Sequence, residues 1–574
     1  MPLQDASLGS YLPCPSGSAS HQVETLRHPD DRQTKLNDSQ VESPVILEDA
    51  SGSGGHAELP RTMGVLAAAA VSIGFALGSG IFSTPGIVWS LVRAPGPAIV
   101  LWILGSIVAF CGAFCFIELG TMLPQNGGEQ AYLAYCFKKP PKLLSFLFSW
   151  SFMRPASVAA TAIVFGKYLL YAMYGPPDAP AADGSQLSAD AAAALIHREW
   201  MARGIAFLAV TLVAALHGAS TRWSIRFNTA LTMGKILAMS FIALSGIAAL
   251  LGLVSLEHPP HNWDHPFEGA SADVGDYTSA MFKVLWALSG WSNLNYVLGE
   301  VRHPERSLPI AIVSSLAVIS SLYLLTNIAF MAVVPAAIAF ESKEVLAASF
   351  SGIMFRPYVG QVVLPGVMAM SAFGGAAAGL FGGGRVLFAA AGDGQFPGAA
   401  IFSRLHPQLG TPLYAQLFNW IVVVLLLLLS PLGDGFSFLV DLTGYPSNVF
   451  FGLSVLGLLL ARRAEPDKPR PFRVWRPVAY FFLCVALFLC VFPWLPPMGT
   501  APPSSPTKPA HYLAPLFGTL LALSGVPVWY VTVVHNGSIR TAWQALRGRR
   551  PRAIPAPELG TDESGRPLLV SSSL

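Results

Sequence analysis

Two short stretches of the sequence place helix-breaking residues inside otherwise apolar segments. GFALGSGIFSTPG (Gly74–Gly86) contains four glycines and a proline, and LWALSGWSN (Leu285–Asn293) has a Ser-Gly pair at its centre. Glycine and proline are the poorest helix formers, and an interrupted helix leaves N–H groups free where its second half begins and C=O groups free where its first half ends. Free N–H groups attract an anion and free C=O groups attract a cation. Two such breaks can therefore hold a small zwitterion by its carboxylate and its ammonium.

Glycines at this spacing have a second interpretation, because small residues also let two helices pack closely in a membrane. Gly74, Gly78 and Gly80 alone do not separate the two interpretations. The second break, five apolar segments later, favours a binding site, because paired interruptions in two halves of a chain indicate a transporter site between repeats. We therefore predict a site built from both breaks, with Gly78 and Gly290 among its residues.

The composition places these breaks in a membrane protein. The chain has 574 residues, of which 53% are hydrophobic and 12% charged, whereas about a quarter of a soluble protein is charged. The net charge is only +3, and no basic patch is interleaved with aromatic residues. The sequence therefore predicts contact with the lipid bilayer and no nucleic acid partner.

Twelve apolar segments are each near the length that spans a bilayer as a helix, about 20 residues. They are Met63–Val92, Pro97–Leu123, Leu143–Tyr174, Met201–Leu216, Phe227–Val254, Tyr277–Leu298, Ile310–Val334, Val362–Ala390, Leu413–Leu429, Phe436–Leu460, Pro477–Phe492 and Leu513–Val534. The predicted fold is an all-α membrane protein whose transmembrane domain covers residues 61–535.

The two ends of the chain are predicted to be cytoplasmic tails. Residues 1–60 are rich in Ser, Asp, Glu, Gln and Gly and lack an apolar face, which is typical of disorder, and residues 536–574 are basic and then polar. An even number of spans places both tails on one side of the membrane. The loops on that side carry fifteen Lys and Arg against six in the opposite loops, a bias typical of the cytoplasmic side.

No pattern in the sequence indicates an enzyme or a bound cofactor. The spans contain no HExxH motif and no nucleophile–base–acid triad, so we predict no catalytic residue. Cys111 and Cys115 share a helix face but have no histidine nearby, which favours small core residues over metal ligands. We predict no metal and no other cofactor.

Three charged residues in the spans are candidates for a function. Lys235 lies deep in the fifth segment, with apolar residues on both sides, and an intramembrane lysine is costly enough to suggest a role. Glu118 lies near the end of the second segment and Glu300 follows the sixth. We expect both carboxylates to pair with loop arginines and brace the inner gate rather than to contact a ligand.

Four stretches of the chain carry a resemblance to a known family. They are GSGIFSTPG (Gly78–Gly86), PQNGGEQAYLAYCFKKPPKLLSFLFS (Pro124–Ser149), LWALSGWSNLNYVLGEVRHPERSLP (Leu285–Pro309) and FGGAAAGLFGGGRVLFAAAGDGQFP (Phe373–Pro397). They resemble the amino acid–polyamine–organocation superfamily, within it the L-type amino acid transporters, and most closely the fungal high-affinity methionine permeases. The resemblance implies a five-plus-five inverted repeat with broken first and sixth helices, followed by two further helices.

The resemblance also implies roles for the residues at the two breaks. The substrate carboxylate is expected on the amides of Ser79, Gly80 and Ile81. The substrate amine is expected on carbonyls of Ala76, Leu77, Trp286 and Ser289. Trp286 matches an aromatic residue, usually Phe, that closes over the substrate from outside, and the larger ring is expected to reshape the side-chain pocket.

The resemblance also implies a role for Lys235 and an expectation about a partner subunit. In sodium-coupled relatives of this fold an ion lies between the first and eighth spans, and in L-type members a fifth-span lysine takes its place. Lys235 is thus expected to bridge the first break and the eighth segment, which implies transport without sodium.

Animal L-type transporters bind a heavy subunit through a cysteine in the loop after the third span. The corresponding loop, Gly175–Glu199, has none, so no disulfide-linked heavy subunit is expected.

The resemblance implies a plasma membrane permease that moves a neutral L-amino acid, most closely methionine, by alternating access. Exchange and proton coupling both stay open as energy sources. The alternatives are an amino acid sensor that does not transport, and a permease for branched or aromatic amino acids or for polyamines.

Overall fold

The computed structural model describes residues 61, 63–151, 153–175, 189–219, 221–254, 256, 259–392, 394, 396–495, 512–535, 559–561 and 567–569. The predicted N-terminal tail, residues 1–60, lies outside the described residues, as does most of the predicted C-terminal tail. All of the described residues belong to one unit, His56–Leu574.

The described residues form twenty α-helices, separated by short 3-10 and π-helical turns. The first half consists of α1 (Val65–Ala76), α2 (Gly80–Ser83), α3 (Pro85–Val92), α4 (Pro95–Met122), α5 (Glu129–Cys136), α6 (Leu143–Trp150), α7 (Met153–Tyr174), α8 (Ala189–Ala219), α9 (Thr221–Leu250) and α10 (Val274–Ala287). The second half consists of α11 (Pro304–Val333), α12 (Ala336–Ser342), α13 (Leu346–Met354), α14 (Leu364–Gly392), α15 (Ala399–Phe402), α16 (Leu413–Leu429), α17 (Gly435–Ala464), α18 (Arg476–Val491), α19 (Leu513–Leu523) and α20 (Gly525–Trp529).

The other elements are short. The 3-10 helices are Asn293–Glu300, Lys343–Val345 and Phe492–Trp494, and the π-helical turns are Val359–Val363 and Tyr530–Val534. Within the predicted C-terminal tail, β1 (Leu559–Thr561) and β2 (Pro567–Leu569) pair antiparallel. The sequence analysis did not predict this two-stranded ribbon, and the predicted all-helical fold holds for the apolar part of the chain.

The long helices make this a multi-pass membrane protein. Within the described part of the chain, nine helical stretches are long and apolar enough to cross a bilayer, and α1 and α16 are shorter apolar helices. Each of the twelve predicted segments contains helix. The fourth is longer than predicted, because α8 begins at Ala189, where the sequence is Ala-rich rather than strongly apolar.

The glycine-rich run in α14 packs against its neighbours. A Cβ atom at Gly379 would lie 2.7 Å from Cγ2 of Val158 in α7, and one at Gly383 would lie 2.8 Å from the Asn419 amide in α16. The absence of side chains therefore lets three helices approach closely in the membrane interior.

Both predicted helix breaks are present. Leu77, Gly78 and Ser79 separate α1 from α2. After α10 ends at Ala287, the chain continues through an irregular turn into the 3-10 helix Asn293–Glu300, where we had expected a second α-helical half. Gly290 has a φ of 124° in this turn, a conformation that favours glycine.

Candidate functional site

A cavity of about 160 Å³ lies between the two breaks. Seven of the nine residues predicted from the breaks line it, namely Ala76, Gly78, Ser79, Gly80, Trp286, Ser289 and Gly290. The other two, Leu77 and Ile81, are fully buried and lie outside the lining, because their side chains pack into the helix core. The structure therefore brings together most of the predicted site, from positions more than 200 residues apart in the chain.

The amide groups at the first break are available to a ligand. The N–H groups of Ser79, Gly80 and Ile81 donate to no backbone acceptor among the described residues. The Ser79 hydroxyl is buried and also has no hydrogen-bond partner in the described structure. Three donors that follow the end of a helix in this way are a ready site for a carboxylate.

Two of the predicted carbonyl acceptors are already engaged. The Ala76 carbonyl accepts from the Gly78 N–H at 2.8 Å and from the Tyr323 hydroxyl at 3.0 Å. The Trp286 carbonyl accepts from both the N–H and the hydroxyl of Ser289. Because a carbonyl oxygen has two lone pairs, these two groups are satisfied in this conformation without an ammonium.

The glycines of the two breaks differ in what surrounds them. A Cβ atom at Gly80 would lie 2.7 Å from Cα of Ala287, and one at Gly290 would lie 2.7 Å from Cα of Ala76. The two breaks thus interlock backbone against backbone. At Gly78 the nearest atom to an added Cβ is Cα of Gly375, 4.0 Å away, so this position opens onto the cavity.

Trp286 packs at the α10 side of the cavity. Its ring meets the ring of Phe436 edge to face, with centroids 5.3 Å apart, and its indole N–H has no partner among the described residues. Phe282 and Leu285 of α10 and Phe451 of α17 line the same cavity. This part of the site is apolar and suits an uncharged side chain.

Known proteins are similar to this chain over most of its length. A family model for the amino acid permease matches residues 63–521. The chain belongs to the amino acid permease family. The b(0,+)-type amino acid transporter 1 of Mus musculus is 30% identical over 481 residues, which cover 83% of this chain and 89% of that protein. The large neutral amino acids transporter small subunit 2 of Homo sapiens is 28% identical over 496 residues, which cover 86% and 84%. Amino acid transport, rather than catalysis, is the activity of this family of proteins.

Lys235 of the permease lies beside one of the two elements that we expected it to bridge. It is buried on α9, and its Cε and Nζ lie against Gly374 of α14, where a Cβ would come within 2.9 Å and 3.1 Å of them. It forms no hydrogen bond to the described part of α1. Instead α9 meets α1 one turn earlier, where Thr232 packs on Gly74. The lysine therefore reaches the eighth segment, and its bridge to the first break stays a prediction.

Glu118 and Glu300 lie outside the cavity lining. Glu118 is fully buried on α4, where it accepts from Arg462 Nε at 2.8 Å and from the Val474 N–H at 2.7 Å, with Arg470 Nε 3.7 Å away. Oε1 of Glu300 is 4.0 Å from Nε of Arg385. Both carboxylates therefore face arginines, and their role at a gate stays a prediction.

Two charged residues of the cavity lining, Glu129 and Arg154, were missed, as was a buried ion pair outside the lining. Lys283 of α10 is buried one turn before Trp286, and its ammonium lies 2.5 Å from Asp441 of α17. Glu129 and Arg154 line the cavity itself. A charge in an apolar segment was the available signal for Lys283 and Arg154, whereas Glu129 precedes the third segment and carries no such signal.

We expect Asp441→Asn to destabilise the permease by about 1–3 kcal/mol, because it removes the negative charge beside the Lys283 ammonium and leaves it neutral oxygen acceptors such as the Ser437 carbonyl, at 3.1 Å. The loss is limited because the Asp441 side chain is 34% exposed. The measurement is the apparent melting temperature in detergent. Lys283→Met combined with Asp441→Leu should recover much of the loss, and a double variant as unstable as Asp441→Asn would contradict the pairing.

Proposed function

We propose that the permease moves a neutral L-amino acid, methionine foremost, across the plasma membrane by alternating access and without sodium. The observation that carries the proposal is the cavity between the breaks. The amides of Ser79 and Gly80, which line it, and of Ile81, which follows them, are free to bind a carboxylate, and the aromatic lining suits an apolar side chain. An unbranched thioether adapts well to such irregular aromatic surroundings.

The charges around the cavity disfavour polyamines. Glu129 is the one acidic side chain among the residues that line it, and Arg154 lies in the same lining. A polycationic substrate needs an excess of carboxylates, which this lining lacks. Branched and aromatic amino acids remain competitors that the uptake experiment ranks.

The position of Lys235 supports independence from sodium. Its side chain is buried against α14, which belongs to one of the two spans between which the ion lies in sodium-coupled relatives of this fold. The absence of a cysteine in the loop Gly175–Glu199 supports a permease that acts without a disulfide-linked heavy subunit. Residues 176–188 of this loop lie outside the described residues.

The test is uptake of labelled methionine by liposomes that contain only this purified chain. We expect saturable uptake that competing leucine and phenylalanine reduce less than unlabelled methionine does, and equal rates in sodium and choline media. Binding of methionine without uptake would favour the sensor, and stronger competition by another amino acid would replace methionine as the substrate.

Lys235→Ala should lower uptake at least about tenfold, which corresponds to a loss of about 1.4 kcal/mol of stabilisation. Met233→Ala, at an exposed position of the same helix, is the matched control and should transport normally. Normal uptake by Lys235→Ala would show that the lysine has no role in transport, and a sodium requirement of the wild type would contradict the coupling proposal.

A further inference from the structure

Glu129 is the first residue of α5 and the only acidic residue in the lining of the central cavity. It follows Gly127 and Gly128, whose φ values of 118° and 55° allow the chain to turn sharply into the helix. The side chain is fully buried, with an exposure of 0%. A carboxyl group is thus built into the same cavity as the two helix breaks.

Neither oxygen of this carboxyl group has a hydrogen-bond partner among the described residues. The hydroxyls of Tyr296 and Ser292 are its neighbours, but neither donates to it with the geometry of a hydrogen bond. A buried carboxylate without donors is costly, and such a group takes up a proton instead. Burial raises the pKa of Glu129, while Arg154, Tyr296 and Ser292 act in the opposite direction.

The nearest positive charge is held by other groups. Nη1 of Arg154 donates to Oδ1 of Asn293 at 2.7 Å, and the guanidinium lies 4.0 Å from the centre of the Tyr296 ring. The guanidinium forms no ion pair with Glu129 in the described structure, and neither carboxylate oxygen has a hydrogen-bond partner there. Arg154 is therefore near enough to lower the pKa of the Glu129 carboxyl group, but it donates its hydrogen bond to Asn293, the residue that begins the 3-10 helix after the second break.

The other titratable side chains of α5 and its neighbours pair with groups other than Glu129. Tyr132, on α5 itself, donates its hydroxyl to Asn295 at 2.8 Å. At the opposite end of the helix, Tyr135 and Lys138 bind Glu465, which follows α17. Arg154 and Tyr296 are thus the groups that face Glu129 from the elements packed around it.

We propose that Glu129 is the proton-binding site of this permease and that one proton accompanies each amino acid. The carboxylate takes a proton from the more acidic side, forming an O–H bond, and the same proton leaves to water on the other side. When it has left, the carboxylate attracts Arg154 away from Asn293. The charge on Glu129 is thereby coupled to the second break, at which the substrate binds. This inference rests on the proposed amino acid transport.

The experiment uses liposomes that contain the full chain and an imposed pH gradient, acidic outside, with labelled methionine. The wild type should accumulate methionine about tenfold for each pH unit, because one unit is a tenfold difference in proton activity. Glu129→Gln should reach an inside-to-outside ratio of one at every gradient. Glu129→Asp, which keeps a titratable group, should still accumulate methionine.

Glu305→Gln is the matched control, because Glu305 is an exposed glutamate in the first turn of α11, and it should accumulate methionine as the wild type does. Exchange of labelled for internal methionine shows that a variant is folded. If Glu129→Gln exchanges too slowly to score, proton uptake on adding methionine to the purified protein decides: the wild type should take up a proton and the variant none.

The outcomes separate the two proposals. No methionine binding or exchange by the wild type would overturn the proposed function itself. Methionine exchange by the wild type without accumulation in a pH gradient would overturn proton coupling alone. Gradient-driven accumulation by Glu129→Gln equal to that of the wild type would leave the coupling in place and overturn the assignment of Glu129.

Discussion

Gly78→Leu is expected to lower methionine transport more than about 100-fold while the protein still reaches the membrane in its normal amount. The position opens onto the cavity between the two breaks, and the nearest atom to an added Cβ is 4.0 Å away. The Cβ atom of a leucine has room there, and we expect the rest of the side chain to extend into the cavity and occupy the space in which a substrate would lie. Uptake into liposomes, normalised to the amount of reconstituted protein, is the measurement.

A matched control is available on the surface that faces lipid. Gly234 of α9 is exposed, and an added Cβ there would meet no atom within 4 Å, so Gly234→Leu should transport normally. Gly80→Leu and Gly290→Leu show the effect of a steric clash. Their Cβ atoms would collide with Ala287 and Ala76, so both substitutions should reduce the yield of folded protein. Reduced yield for Gly78→Leu as well would favour close packing over a substrate site at this glycine.

Glu118→Gln should destabilise the permease by about 3–5 kcal/mol. Glu118 is fully buried and pairs with Arg462, whose side chain is only 4% exposed, so removing the carboxylate leaves a buried guanidinium without its counter-charge. Glutamine also replaces one of the two oxygens that accept from Arg462 and from the Val474 N–H with an NH2 donor, so at least one of these hydrogen bonds is lost. The apparent melting temperature of the purified protein should fall sharply, and the loop between α17 and α18 should become more susceptible to proteolysis.

A double variant tests whether the effect is electrostatic. Glu118→Met with Arg462→Met removes both charges, and Arg470 keeps its hydrogen bonds to the Ala461 and Glu465 carbonyls, so much of the stability should return. Glu305→Gln, at an exposed glutamate, should change stability by less than about 0.5 kcal/mol. A Glu118→Gln protein as stable as this control would show that the buried pair contributes little.

The membrane spans and the helix breaks could be predicted because each depends on residues that lie close together in the sequence. The spans follow from runs of apolar residues, and the breaks follow from glycines and a proline whose backbone preferences need no partner. Leu77 and Ile81 were predicted in the site through their backbone groups, and their side chains are buried outside the cavity lining, since a helix turns neighbouring residues to different sides.

The partners of the charged residues could not be predicted in this way. Glu118 and Arg462 are 344 positions apart, and Lys283 and Asp441 are 158 apart. Lys235 shows the same limit, because its burial was evident from the fifth segment, whereas its contact with Gly374 was not.

The sequence by itself determined the membrane location, the number of apolar segments and the two places at which helices are interrupted, because each depends on residues close together along the chain. Only the tertiary structure decided which groups meet. It put Glu129 and Arg154 into the cavity of the breaks, where no described residue donates a hydrogen bond to the Glu129 carboxyl group. It also packed Gly80 and Gly290 against backbone atoms and left Gly78 open to the cavity. These contacts join residues far apart in the chain, and helix packing alone sets their distances.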